Sequence, residues 1–108
     1  MKLLIVVLNS PDKLEEVLEG LVEAGVTGAT VMDSVGMGHI LEDVPLFAGV
    51  RSIFRTAKPH NNTIISVIQD AQSDEAMSML QRILCGAGDR KKSCGIAFVV
   101  PIERSVGI

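Results

Sequence analysis

Glycines, a basic run and two thiols are the residues whose placement first suggests chemistry. Gly36 and Gly38 form a G-x-G pair at the head of "SVGMGHILEDVPLFAGV", Ser34 to Val50. Such a pair lets main-chain groups cradle a ligand, and it serves equally as a bend or bulge. Arg90, Lys91 and Lys92 lie in "GDRKKSCG". A basic cluster offers charge-assisted hydrogen bonds to a small anion, or is simply a solvated turn. Cys85 and Cys94 flank that run, as a redox clip if the loop folds back or as reduced structural thiols. His39 and His60 have no metal-ligand spacing with either cysteine. No metal site is expected, and the two histidines read as exposed loop residues. No Ser-His-Asp or paired-carboxylate arrangement stands out. Glu42, Asp43, Glu103 and Arg104 read as surface charges or intersubunit pairs. No catalytic residue is therefore assigned, and the chain is not expected to be an enzyme.

Composition narrows the partners. The 108 residues are 47% hydrophobic and hold no Trp, no Tyr and only Phe47, Phe54 and Phe98 as Phe. One domain over residues 1–108 with an aliphatic core is the expectation. The formal net charge of −3 argues against nucleic acid, and the missing aromatics remove base-stacking platforms. Lys2 and the apolar run to Leu8 begin like an export signal, but no small-residue cleavage site follows. Nothing approaches membrane-spanning length, so no direct membrane insertion and a cytoplasmic location are expected.

Alternation and turn residues place these groups on elements. Lys2 to Leu8 reads as a strand, followed by a helix with Ser10 as N-cap and Pro11 as first residue. Leu14, Val17, Leu18, Leu21 and Val22 form its apolar face, and Gly25 stops it. A second strand is expected from about Ala29 to Val35, and a third within "NNTIISVIQD", Asn61 to Asp70. Ser73 is the expected cap of a second helix with apolar residues Ala76, Met77, Leu80, Ile83 and Leu84, ended by Gly86 and Gly88. "IAFVVPI" supplies the fourth strand.

The order β-α-β-β-α-β predicts an α+β, ferredoxin-like fold: a four-stranded antiparallel sheet with two helices on one face. Helices on one face cannot cover both sides of these strands. Leu3, Ile5 and Val7 oppose Leu4, Val6 and Leu8. Ile65 and Val67 likewise oppose Ile64 and Ile68, and Phe98 and Val100 oppose Ala97 and Val99. The helix-free side is thus apolar too, which predicts an oligomer with its sheets packed inward.

"GATVMDSVGMG" (Gly28 to Gly38) and "LFAG" (Leu46 to Gly49) resemble the second strand and long loop of the PII nitrogen-regulatory family. There a strand ends at G-F-G and the loop carries L-Y-R-G. "GIAFVVPIERSVGI" (Gly95 to Ile108) resembles that family's final strand and tail. The resemblance implies a homotrimer with sheets facing a central axis and an adenine nucleotide effector in clefts between subunits. It also implies a T-loop, here about residues 37–60, that docks on a transporter, enzyme or regulator. No cofactor is required beyond that effector.

Carried over by position, Gly28 and Thr30 match the family's G-x-T near the adenine. Gly36 and Gly38 match the glycines at the loop base, and Gly95 the last glycine of the phosphate-binding G-D-G-K. The lysine of that motif falls on Ile96, and the tail arginines on Gly107 and beyond Ile108. The loop glutamine falls on Ile40, and the uridylylated tyrosine on Phe47, which has no hydroxyl. Arg90, Lys91 and Lys92 are expected to compensate in part, and Leu46, Phe47 and Arg51 to face the partner. These departures imply a divergent PII-like signalling protein whose ligand is a less charged nucleotide or another small anion. The alternatives are a metal-binding trimer similar to the CutA divalent-cation-tolerance family, with Cys85 and Cys94 as ligands, and a structural trimer with an empty cleft.

Overall fold

The computed structural model describes residues 1–42, 60–86 and 93–108. Its elements are β1 (Lys2–Leu8), a 3-10 turn (Pro11–Lys13), α1 (Leu14–Glu23), β2 (Thr30–Ser34), α2 (Met37–Glu42), β3 (Asn61–Ile68), α3 (Asp70–Cys85) and β4 (Gly95–Pro101). The strands form one antiparallel sheet in the order β2-β3-β1-β4. This is the ferredoxin-like α+β arrangement that the alternation of strands and helices predicts.

Side-chain alternation divides the sheet. On the helix-covered face, Leu4, Val6 and Leu8 of β1 and Ile64 and Ile68 of β3 are buried beneath Val17 and Leu21 of α1 and Ala76, Met79, Leu80 and Leu84 of α3. On the other face the strand register aligns Thr30, Ile65, Ile5 and Phe98 in one row. Met32, Thr63, Val7 and Ile96 form the next row, and Val67, Leu3 and Val100 a third. Phe98 is 40% and Ile96 58% exposed, so this face of the single chain is open and apolar.

The first helix ends as its glycine suggests. Gly25 has φ +88°, its N–H donates to Val22 O at 3.0 Å, and the Val26 N–H reaches Leu21 O at 2.9 Å. This is a Schellman stop, closed by the buried pair Leu21 and Val26. Where α1 crosses α3, a Cβ on Gly20 would stand 2.8 Å from Met79 Cγ, so the close approach requires glycine or a shifted methionine.

Several boundaries differ from expectation. Pro11 opens a 3-10 turn rather than α1, and Ser10 caps it with no side-chain hydrogen bond. Pro11 fixes a tight first turn, and the regular α-helix begins at Leu14. Val22 is 63% exposed, because the stripe over the sheet is narrow and centres on Val17 and Leu21. Ser73 is buried inside α3. The N-cap is Gln69, which exchanges capping-box hydrogen bonds with Gln72, the amide pair standing in for the hydroxyl and carboxylate of the usual motif. β2 is shorter than Ala29–Val35, and β4 runs from Gly95 to Pro101.

Residues 37–42 of the expected irregular loop form helix α2. Met37, Ile40 and Leu41 have the i, i+3, i+4 spacing of a helix, hidden by the glycines around them. Gly88, the basic run 90–92 and residues 43–59, with Leu46, Phe47 and Arg51, lie outside the described residues. Among the described residues no helix is long and apolar enough to cross a membrane.

Candidate functional site

A cleft of about 610 Å³ opens where the turn before β2 meets β3 and the start of α3. Its walls include Gly28 and Thr30, the Gly25 turn, Ile65, Gln72 and the C-terminal Ile108. Each wall is anchored. The buried Ser66 hydroxyl donates to the Gly28 carbonyl, fixing that peptide against β3. Gln72 Nε2 donates to the Gly25 carbonyl at 2.7 Å, tying the start of α3 to the end of α1. Gly107, with φ +97°, turns the tail before Ile108. The tail itself is held beside the first strand by Ile102 N–H donating to Met1 O at 3.1 Å.

Among the described residues, no lining side chain carries a formal charge. Main-chain groups, the Thr30 hydroxyl and the Gln69 and Gln72 amides border apolar Leu3, Ile65, Val67 and Ile108. Such a surface suits a flat heteroaromatic or other weakly charged group that needs a few directed hydrogen bonds.

The glycines separate into those the fold requires and those it does not. At Gly95 a Cβ would collide with the Val7 carbonyl oxygen and stand 3.2 Å from Leu8 Cα, so the β1–β4 pairing alone demands glycine. Gly28 lacks positive φ, and no described residue lies within 4 Å of an added Cβ. Gly36 also lacks positive φ, and among the described residues an added Cβ would meet only Asn61 Nδ2 at 3.6 Å, an ordinary contact. Among the described residues, neither backbone strain nor packing explains glycine at 28 or 36.

The structure does not bring all the expected ligand residues together. Gly28 and Thr30 share the cleft, whereas Gly36 and Gly38 lie beyond the far end of β2. There Ser34 Oγ bonds the Thr63 hydroxyl at 2.8 Å, and Asn62 Nδ2 donates to Asp33 Oδ1 at 3.1 Å. Gly95 is on the opposite edge strand, across three strand spacings or roughly 14 Å. Sequence reasoning missed Ser66, Gln72 and Ile108. Only the strand alternation that points Ser66 inward among apolar neighbours could have signalled one of them.

The histidines are not two free loop residues. His39 belongs to α2 and is half-buried, with its ring centroid 6.3 Å from that of exposed His60. Helix α2 thus brings His39 beside His60, the residue before β3. Cys85 and Cys94 are both free thiols. Among the described residues no group of three or more His, Cys, Asp or Glu is placed to hold a metal ion.

Strand order, antiparallel register and the one-sided helix layer define the class, a ferredoxin-like α+β fold with an open apolar sheet face. The family model for nitrogen regulatory protein P-II matches residues 1–108, the whole chain, and the chain belongs to that family of regulatory proteins.

Proposed function

We propose that this chain is a homotrimeric signal-transduction protein that binds a small effector, an adenine nucleotide, in clefts shared between subunits. The observation that carries this reading is Gly28: among the described residues it is a glycine required by neither backbone nor packing, on the wall of a cleft without charged side chains, beside Thr30. Bare backbone there leaves room for a base to lie against the main chain, with Thr30 as a directed partner. Family membership supports the regulatory role.

Sharing between subunits follows from the sheet order. Gly28, Thr30, Gly36 and Gly38 lie along or beyond the β2 edge, and Gly95 begins the β4 edge. One chain cannot close both sets around one small molecule, so a second copy would supply the missing edge. The apolar rows through Ile65, Ile5 and Phe98 would be covered in the same assembly.

Effector binding would order the T-loop, about 37–60, and change affinity for a partner protein, a transporter, enzyme or regulator. The cytoplasm is the compartment we assign. Ile96 and Gly107 stand where the family resemblance expects lysine and arginine, which favours a nucleotide with fewer phosphates. Calorimetric titration of the full chain with ATP, ADP, AMP and cyclic dinucleotides tests this. Saturable binding that weakens with added phosphates is the expected result, and no heat from any of them would sink the nucleotide reading.

A further inference from the structure

We propose that Cys85 and Cys94 close an intramolecular disulfide under oxidant, joining the last residue of α3 to the residue before β4. The main chain already holds the two positions together. The Cys94 N–H donates to the carbonyl of Leu84, the neighbour of Cys85, at 3.0 Å. The Cys94 carbonyl accepts from the Asn9 N–H at 2.7 Å, so both of its backbone groups are fixed.

Those contacts bound the separation. Standard bond and hydrogen-bond geometry puts the Leu84 oxygen about 2.8 Å from Cys85 Cα and about 3.9 Å from Cys94 Cα. The two Cα atoms therefore stand at most about 6.7 Å apart. Disulfides span Cα separations of roughly 4.4–6.8 Å. The Cys94 thiol also faces the helix end, with Sγ 3.8 Å from the Ile83 carbonyl oxygen. Both thiols are half-buried at the edge of the core, within reach of a small oxidant. Closing the bond asks for side-chain rotation, with the backbone hydrogen bonds kept.

Hydrogen peroxide is the oxidant class. One thiolate attacks the O–O bond, giving a sulfenic acid and, after proton uptake, one water. The second thiolate attacks that sulfur, the S–S bond forms, the S–O bond breaks, and a second water leaves. Two thiols and one peroxide thus become one disulfide and two waters, with sulfur oxidised and peroxide oxygen reduced. A dithiol reductant reverses the bond by thiol–disulfide exchange. The ring so closed contains, in sequence, the basic run Arg90, Lys91 and Lys92. None of this rests on the nucleotide reading.

The test is to treat the native full chain at low micromolar concentration with a modest excess of hydrogen peroxide, block remaining thiols with iodoacetamide, and digest with trypsin. Trypsin cuts after Arg82, Arg90, Lys92 and Arg104, so the two cysteines fall on separate peptides. The expected product is peptide Ile83–Arg90 covalently joined to Ser93–Arg104, with the intact chain about 2 Da lighter and both thiols recovered by dithiothreitol. The oxidised chain should also melt at higher temperature than the reduced chain, since the cross-link restricts the unfolded state. Cys85→Ser and Cys94→Ser should each yield only sulfenic or higher oxidation states. Independent oxidation of the two thiols without a joined peptide, or cross-links only between chains, would overturn the proposal.

Discussion

The buried Ser66 hydroxyl donates to the carbonyl of Gly28, so a residue in the middle of the sheet holds the wall of the cleft. At 4% exposure, Ser66 has little access to water that could replace the bond. Ser66→Ala should cost about 1 kcal/mol of stability, near the net worth of one such hydrogen bond. It should also weaken effector binding, because the Gly28 peptide loses its anchor. Chemical denaturation and calorimetry on the same variant check both effects.

Gly20 and Gly95 are structural glycines with different tolerance. At Gly20 the obstacle is the Met79 side chain, and the helical propensity gained with alanine offsets its displacement. Gly20→Ala should therefore be nearly neutral, whereas Gly20→Val should lose about 1–3 kcal/mol by overpacking. At Gly95 the obstacle is the β1 backbone, which cannot rotate away. Gly95→Ala should lose about 1–3 kcal/mol and loosen the β1–β4 edge, as read by urea denaturation and amide exchange on β4.

The N-terminal ammonium lies 3.0 Å from Asp70 Oδ1, and its hydrogen bond and charge hold the Asp70 carboxyl below its ordinary value. Lowering means that the folded state favours the ionised form. This contribution is therefore complete above the unfolded pKa of Asp70 and is lost as pH falls through the lower folded pKa. Asp70 is largely exposed, so the effect is small and screened by salt. Asp70→Asn should melt slightly below wild type at neutral pH and low salt. The gap should close in acid, as followed by melting temperature against pH.

The open sheet face predicts self-association. Light scattering should give a mass above that of one chain, and of three chains for the proposed homotrimer. Introducing charge at Phe98, as Phe98→Glu, should dissociate the assembly while leaving the helix-covered core intact, since Phe98 points away from it. A monodisperse wild-type monomer would contradict the assembly.

Much of the fold was legible because its signals are redundant. β1 is marked at both ends, by Lys2 and by the Asn9-Ser10-Pro11 turn, and Gly25 can hardly be read as anything but a helix stop. Two-faced strands such as Leu3 to Leu8 announce both the core and the open face. Local capping was less legible. Ser10 and Ser73 have the right chemistry for caps, but Pro11 tightens the first turn and Gln69 with Gln72 begins α3 earlier. Helix α2 was masked by Gly36 and Gly38, which signal a loop unless Met37, Ile40 and Leu41 are read together. At the site, Gly28 and Thr30 could be placed through the family resemblance. Ser66, Gln72 and Ile108 could not, because they reach the cleft only by tertiary contact. Gly95 shows the opposite limit: its glycine has a sufficient packing reason, so identity alone did not reveal a ligand contact.

The central claim is that an adenine nucleotide binds against the bare backbone at Gly28. It is tested most directly by calorimetric titration of AMP and ADP into the wild-type chain and into Gly28→Leu. None of the described residues lies within 4 Å of an added Cβ at this position, so Gly28→Leu should change stability by less than about 0.5 kcal/mol. Saturable binding by wild type, lost in Gly28→Leu at unchanged melting temperature, is the predicted result. Equal binding by both proteins, or no binding by wild type, would contradict it.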